Sequence, residues 1–370
     1  MKKALKIMGC LLLCVLVAAL GFVVWYGRNE DHRIDETVTE NDYSRILQEN
    51  ITGNPRVVDI AMLCAHDAFS NKITSQSPLD PNDENQILDN SVLRAIVGGV
   101  FARQAKAQKS NGYELATRGV RYFDVRVCYD DGVWQNMHSF ISAPFEENLR
   151  YLLRFLSENP GEMLVVDIQH HKPQPLTSQD MIDFIGTVEE DGKSLWDYVS
   201  YDPNEISLGE LRFKDVTKDG AGVVVLIKTE QYEGCKFYEY VGEQNESGGI
   251  GSYVEGVSVR ANWHNKPKVE QIIEGIEKEY AYLTENFELY KNTFRANQSQ
   301  TTAPLDLGLF PYWSLLHDAE ESNNVILAQP DFDKWLEVMP VLWTNNSDTM
   351  VDGYNDNVIA RLNSFNRKLK

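Results

Sequence analysis

The chain opens with Lys2, Lys3 and Lys6, and the twenty residues Ile7–Tyr26 carry no charge. As a helix, a run of that length reaches across a bilayer. Trp25 and Tyr26 stand where interfacial aromatics belong, and the lysines predict a cytoplasmic N-terminus with the body outside. Cleavage as a signal peptide is the alternative: Ala19-Leu20-Gly21 offers small residues, but the apolar Phe22–Tyr26 follows. Residues 1–28 are therefore read as a signal anchor or signal peptide. Residues 29–54 are polar and acidic, with one short helical stretch at Tyr43–Glu49, and predict a polar stalk.

From residue 55 the pattern changes. Val57–Cys64 is apolar and β-branched and predicts a strand, residues 70–92 a long loop, and Val120–Val127 a second strand. Phe145, Leu149, Leu152, Leu153 and Leu156 fall at helical spacing between Pro144 and Asn159-Pro160-Gly161. Met163–Ile168 is nearly continuous in apolar residues, as a strand buried on both faces must be. The alternation continues with a helix at 178–189, the strand Gly222–Lys228, a helix at 267–283, the strand Met339–Trp343 and a helix at 355–368. Strands alternating with helices predict an α/β fold with a parallel sheet. No strand leads into a Gly-rich dinucleotide loop, and the count favours an irregular (β/α) TIM-type barrel over an open sheet. The barrel spans residues 55–370 as one domain.

Composition narrows this picture. At 43% hydrophobic and 24% charged, the 370-residue chain supports a core rather than disorder. Its net charge is -20, and beyond residue 28 there are 31 bases against 55 acids, or -24. That excludes nucleic acid as a general partner, and an anionic substrate would need a local cation. Of five cysteines, Cys10 and Cys14 lie in the first apolar run. Cys64, Cys128 and Cys235 lack metal-ligand spacing and are expected to be buried thiols, with a Cys64–Cys128 disulfide open if their strands are neighbours.

The candidate chemistry lies at strand ends, where barrels place reacting groups. His66-Asp67 closes the first strand between Ala65 and Ala68. A histidine beside an aspartate is most often a structural pair, but this position suits a proton carrier. Asp124 and Arg126 share one face of their strand. Arg126 ends an apolar run, where a guanidinium can clamp two phosphate oxygens, whereas Arg118 and Arg121 are expected to be surface or helix-cap cations. His138 follows the turn at Tyr129–Gly132 and faces Arg126 across a hairpin. The segment Asp167–His171, Lys228 and the segment Trp343–Asn346 also fall at strand ends.

These residues make the chain resemble a known family. Ala65-His66-Asp67, Gly119-Val-Arg-Tyr-Phe-Asp-Val-Arg126, His138, Pro144-Phe-Glu-Glu147, Asn159-Pro-Gly-Glu162, Asp167 and Leu208-Gly-Glu-Leu-Arg212 are similar to the bacterial-type catalytic X domain of phosphatidylinositol-specific phospholipase C. The likeness is good in the first half and faint beyond residue 230. It implies an extracytoplasmic phosphodiesterase or lyase that cleaves phosphatidylinositol, or a related glycerophospholipid, to diacylglycerol and cyclic inositol phosphate. In that reading His66 is the general base, His138 the general acid, Asp67 orients His138, and Arg126 binds the phosphate. No cofactor is implied; calcium is the alternative, because eukaryotic relatives keep a calcium-binding acid where Arg126 stands. The partners implied are a phospholipid or inositol-phosphate substrate and, through the N-terminal segment, a membrane.

Two positions depart from the family. The carboxylate expected to orient the base falls on Thr344, followed by Asn345 and Asn346, with Asp348 the nearest acid. A lysine that contacts the sugar falls near Gln169, leaving Gln169, Lys228 and Trp263 as candidate substrate contacts. His170, His171, His264 and His317 have no assigned role. Thr344 favours an alternative, a catalytically impaired barrel that serves as a cell-surface lipid or sugar-phosphate binding module. A third reading is a metal-dependent glycerophosphodiester phosphodiesterase. It would need several acids around a metal, and Arg126 between Asp124 and Asp130 opposes it.

Overall fold

One sheet organises the body of the protein. A computed structural model describes residues 2–28, 39–80, 90–242, 250–302, 314–349 and 353–370. Its strands are β1 (Met62–Ala68), β2 (Val120–Asp130), β3 (Val133–His138), β4 (Phe140–Pro144), β5 (Met163–Lys172), β6 (Gly222–Ile227), β7 (Tyr238–Glu239), β8 (Val259–Ala261), β9 (Phe294–Gln298) and β10 (Val341–Thr344). They lie in the order β7-β6-β5-β2-β1-β10-β9-β8. Every neighbouring pair along that path is parallel. A parallel bridge, Gly242–Val259, joins the two ends. The architecture is the irregular (β/α) barrel that the alternation predicts, with the β3–β4 hairpin standing off β2.

The helix Phe145–Glu158 shows how sequence becomes packing. Phe145, Leu149, Leu152, Leu153 and Leu156 are all buried, and each leucine contributes about 1.5–3 kcal/mol by leaving water. Inside the barrel, Tyr122 meets Phe294 edge-on and lies tilted against Trp343, each at 5.4 Å between ring centroids. At the entry to β2, Gly119 has φ +101°, and a Cβ there would sit 2.5 Å from Ile359 Cδ1. Only glycine fits that turn.

Several expectations change. The first strand starts at Met62, because Val57–Asp59 coils into a 3-10 turn. Arg121 is no surface cation: it is fully buried, its Nε is 2.7 Å from Glu162, and it donates to the carbonyls of Tyr43 and Ser44. Those contacts fasten residues 39–54 across the barrel floor, with Ile46, Leu47 and Ile51 buried, so this part does not stand off as a stalk. Residues 29–38 of the expected stalk lie outside the described residues. The Cys64–Cys128 disulfide does not form. Both thiols are free and buried, and Cys64 pairs in register with Tyr122, six residues before Cys128, or about 20 Å along the strand.

The N-terminal residues form the helix Lys2–Arg28. Its stretch Met8–Trp25 is long and apolar enough to cross a membrane and is unburied, with a mean hydropathy of 2.6. The helix runs against the helix Ser91–Ala105, which the sequence pattern did not announce.

Candidate active site

At the C-terminal ends of the strands lies a cavity of about 480 Å³. Among its lining residues are His66, Asp124, Arg126, His138, Gln169, His170, Tyr240, Trp263 and Trp343. Alternation along a strand would send consecutive residues to opposite faces. The chain escapes that rule twice. Beyond Ala65 the register of β1 on β2 shifts, and Asp67 takes the left-handed conformation (φ 44°), so His66 and Asp67 both reach the site. A second shift, where β5 passes Asp124 and Arg126, lets Gln169 and His170 both line the cavity.

Asp67 is the hub. Its carboxylate is fully buried and ion-pairs with Arg126 Nε. The same carboxylate lies 3.1 Å from His138 Nδ1 and 3.3 Å from His66 Nε2. Burial alone would raise its pKa, but Arg126, His138, His66 and His170 outweigh that and hold it well below the usual carboxylate range. The Arg126 guanidinium, opposed by burial but favoured by Asp67 and Asp124, is held charged.

Each histidine has a second tether. His138 Nδ1 lies 2.7 Å from the carbonyl of Ala105. Burial lowers the His138 pKa from its ordinary value of 6.5, with Arg126 and His66 also lowering it, although Asp67 pulls the other way. His66 Nδ1 lies 2.7 Å from Asn345 Oδ1. An amide oxygen only accepts, so that contact makes Nδ1 the donor, while Nε2 points at the Asp67 carboxylate and the cavity. The orienting partner of His66 is thus Asn345 rather than Thr344, whose Oγ1 lies 3.0 Å from Ser347 Oγ. The two imidazoles are 6.4 Å apart between centroids.

Beneath this cluster, Asp124 accepts from the Asp67 backbone N–H at 3.0 Å and from Gln169 Nε2 at 2.6 Å, and Tyr240 donates to Gln169 Oε1 at 3.0 Å. Gln169 therefore braces the cluster from the cavity wall. Tyr122 donates to Asp167 at 2.7 Å, and burial next to Asp124 raises the Asp167 pKa well above the ordinary value.

Other candidates are less central. Trp263 lines the cavity and donates from Nε1 to Thr302 Oγ1 at 3.1 Å. Lys228 is exposed and does not line the cavity; its charge acts on His170 and His171. His170, left without a role by the sequence, lines the cavity, and burial with Arg126 and Lys228 lowers its pKa to about 3. His171 contacts Ser178 Oγ at 2.7 Å, His264 is buried, and His317 is near Glu320. His66, Asp67 and Asp124 each bring one possible metal ligand within 4.8 Å of the others. The guanidinium of Arg126 already sits on one of those carboxylates, and a dication there would meet its repulsion.

No family model matches the chain. The variant-surface-glycoprotein phospholipase C of Trypanosoma cruzi is 28% identical over 127 residues, 32% of this chain and 33% of that protein. PI-PLC X domain-containing protein 3 of Bos taurus is 26% identical over 134 residues, 35% of this chain and 41% of that protein. The chain thus spans well under half the length of the curated relatives it matches. Among solved structures, a variant of phosphatidylinositol-specific phospholipase C from Staphylococcus aureus superposes with a TM-score of 0.61 at 13% identity, covering 89% of this chain and 99% of that one. The phosphatidylinositol-specific phospholipase C from Listeria monocytogenes gives 0.54 at 14%, covering 86% and 98%. Over about a third of its length this chain is thus similar in sequence to a trypanosome phospholipase C and to PI-PLC X domain-containing proteins, and over most of its length it shares the barrel fold of the bacterial phosphatidylinositol-specific phospholipase C structures.

Proposed function

We propose that the cavity cleaves the phosphodiester of phosphatidylinositol, or of a closely related glycerophospholipid, without a metal. The observation that carries this reading is the single carboxylate of Asp67, which gathers Arg126, His138 and His66 around one space. His66 Nε2 takes the proton from the inositol 2-hydroxyl, whose oxygen attacks phosphorus. The bond from phosphorus to the glycerol oxygen breaks, and His138 Nε2 gives that oxygen its proton. The products are diacylglycerol and a cyclic inositol phosphate. A hydroxyl tethered beside its own phosphate needs no bound water to start this reaction. Arg126 supplies the fixed positive charge that the transition state requires on its non-bridging oxygens. Asp67 orients Arg126 and His138, and it offsets the cost of protonating a buried His138.

The rest of the wall suits a polyol. Gln104, Gln169, Tyr240, Gln298, Gln300, Thr301 and Thr302 offer hydrogen bonds without charge, and Trp263 offers an aromatic face. The N-terminal helix would hold the domain at an extracytoplasmic membrane surface.

The test is to incubate the full chain with phosphatidylinositol, with and without chelator, and to follow cyclic inositol phosphate. Product formed in chelator and lost in both His66→Ala and His138→Ala supports the reading. Turnover that requires calcium would support metal-dependent chemistry instead, and binding without turnover would support a lipid-binding module.

A further inference from the structure

The cavity wall carries a third imidazole. Among the described residues His66, His138 and His170 line the cavity. His66 is held by Asn345 and Asp67, and His138 by Ala105 and Asp67. His170 is half-buried, and no hydrogen bond or ion pair among the described residues reaches its ring. Its neighbour His171, by contrast, is engaged through Nε2, 2.7 Å from Ser178 Oγ. The ring of His170 is therefore open to whatever the cavity binds.

The strand ladder says which part of a ligand it would meet. β2 and β5 pair Asp124 with Asp167, and the register then slips so that Arg126 stands opposite His170 rather than Gln169. Paired residues on neighbouring strands point to one face, about 4.8 Å apart. The imidazole thus stands beside the guanidinium. Asp67 occupies Arg126 Nε, which leaves the terminal nitrogens of the fork for a phosphate. A phosphodiester offers only acceptors, and a neutral imidazole carries one N–H for them.

Charge points the same way. The charged and titratable groups around His170 are Arg126, Lys228, Asp67 and His138. Burial, Arg126 and Lys228 lower its pKa to about 3, so the ring is neutral at ordinary pH. A phosphate anion beside Arg126 offsets the guanidinium and attracts a proton to the ring.

We propose that His170 is a second phosphate-binding group, which takes up a proton as the phosphodiester enters and pairs with the non-bridging oxygen that Arg126 does not hold. The anion is then met from β2 and from β5, and the second positive charge arises only when a phosphate is there to meet it. This deepens the proposed reaction and rests on it.

Two measurements on the full chain test it. One uses a short-chain phosphatidylinositol lacking the ring 2-hydroxyl, which can bind but cannot react. Calorimetry at pH 5 in buffers of different ionisation enthalpy counts the protons taken up on binding. The parent should take up more than His170→Gln, which keeps a neutral donor; equal uptake overturns the proposal. The other uses the two phosphorothioate diastereomers of short-chain phosphatidylinositol. His170→Leu should lower kcat on the oxygen substrate by about 10²-fold, comparable to losing one oxyanion donor. It should also erase the penalty for sulfur in one diastereomer and keep it in the other, and His170→Gln should recover part of the rate. Losses equal for all three substrates, with a lowered thermal midpoint, assign His170 to the fold and overturn the proposal. A parent that neither binds the deoxy analogue nor cleaves phosphatidylinositol removes the reaction itself and the role of His170 with it. A parent that cleaves while the leucine variant matches it removes His170 alone.

Discussion

Asn345 Oδ1 lies 2.7 Å from His66 Nδ1, so a neutral amide holds the candidate base. It fixes ring orientation and tautomer without the charge that would strengthen the base. Asn345→Asp, which sets a carboxylate against Nδ1, should move the acid limb of the kcat/KM profile upward. Asn345→Ala should lower kcat by about tenfold or more through lost orientation. A purely structural asparagine would leave the pH profile of the aspartate variant where it was. The profile and the thermal midpoint together separate these outcomes.

The candidate acid gives a prediction on the other limb. His138 must carry its proton to donate it, and burial has lowered its pKa below 6.5. Activity should therefore decline, as pH rises, at a lower pH than an ordinary histidine would allow. His138→Gln should abolish that limb along with about 10²–10⁴ of the rate. A pH–rate profile that stays flat from pH 5 to 8 would remove His138 from the role.

Arg126 can be tested without removing its charge. Lysine keeps the positive charge but loses the planar fork that pairs with Asp67 while facing a phosphate. Arg126→Lys should cost about 10²-fold or more in kcat/KM, comparable to losing one oxyanion donor. A chain that keeps full activity would mean that the guanidinium is only structural.

Stability should respond to acid through His264. Its ring is buried, and burial, with Lys278 nearby, lowers its pKa to about 4 from 6.5. The unfolded chain takes up this proton below about pH 6.5, while the folded chain resists until about pH 4. Stability is therefore lost as pH falls through that window. His264→Asn should flatten the decline, read as the thermal midpoint against pH. An unchanged slope would assign the acid sensitivity elsewhere.

How much of this was legible depended on what each signal measures. The strands β1, β2, β5, β6 and β10 announced themselves because their walls are aliphatic. Strands β7, β8 and β9 did not: the first two hold two and three residues, and Phe294–Gln298 is mostly polar. Its Arg295 is buried by donating to the carbonyl of Val338 and to Asp59, and Arg260 of β8 pairs with Glu279 through two contacts of 2.7 and 3.0 Å. Hydropathy counts such residues as surface. At the site, His66, Asp67, Arg126 and His138 could be located because each stands at or near the end of an apolar run, although β2 continues past Arg126 to Asp130. Asn345 and His170 were missed because their placement depends on a loop path and a register shift, which leave no periodic trace.

Among the described residues the two ends of the strand path meet only around the Gly242–Val259 bridge, where Ser258 and Val259 donate to the carbonyl of Val241, whereas β2 and β5 share a long ladder. Resistance to opening should follow that difference. In hydrogen exchange, amides of 238–242 and 258–261 should lose protection well before those of β2 and β5. A wall that gives way there first allows the cavity side bearing Tyr240 and Trp263 to adjust to what enters while the Asp67 carboxylate, Arg126 and the two histidines on β1–β3 stay fixed.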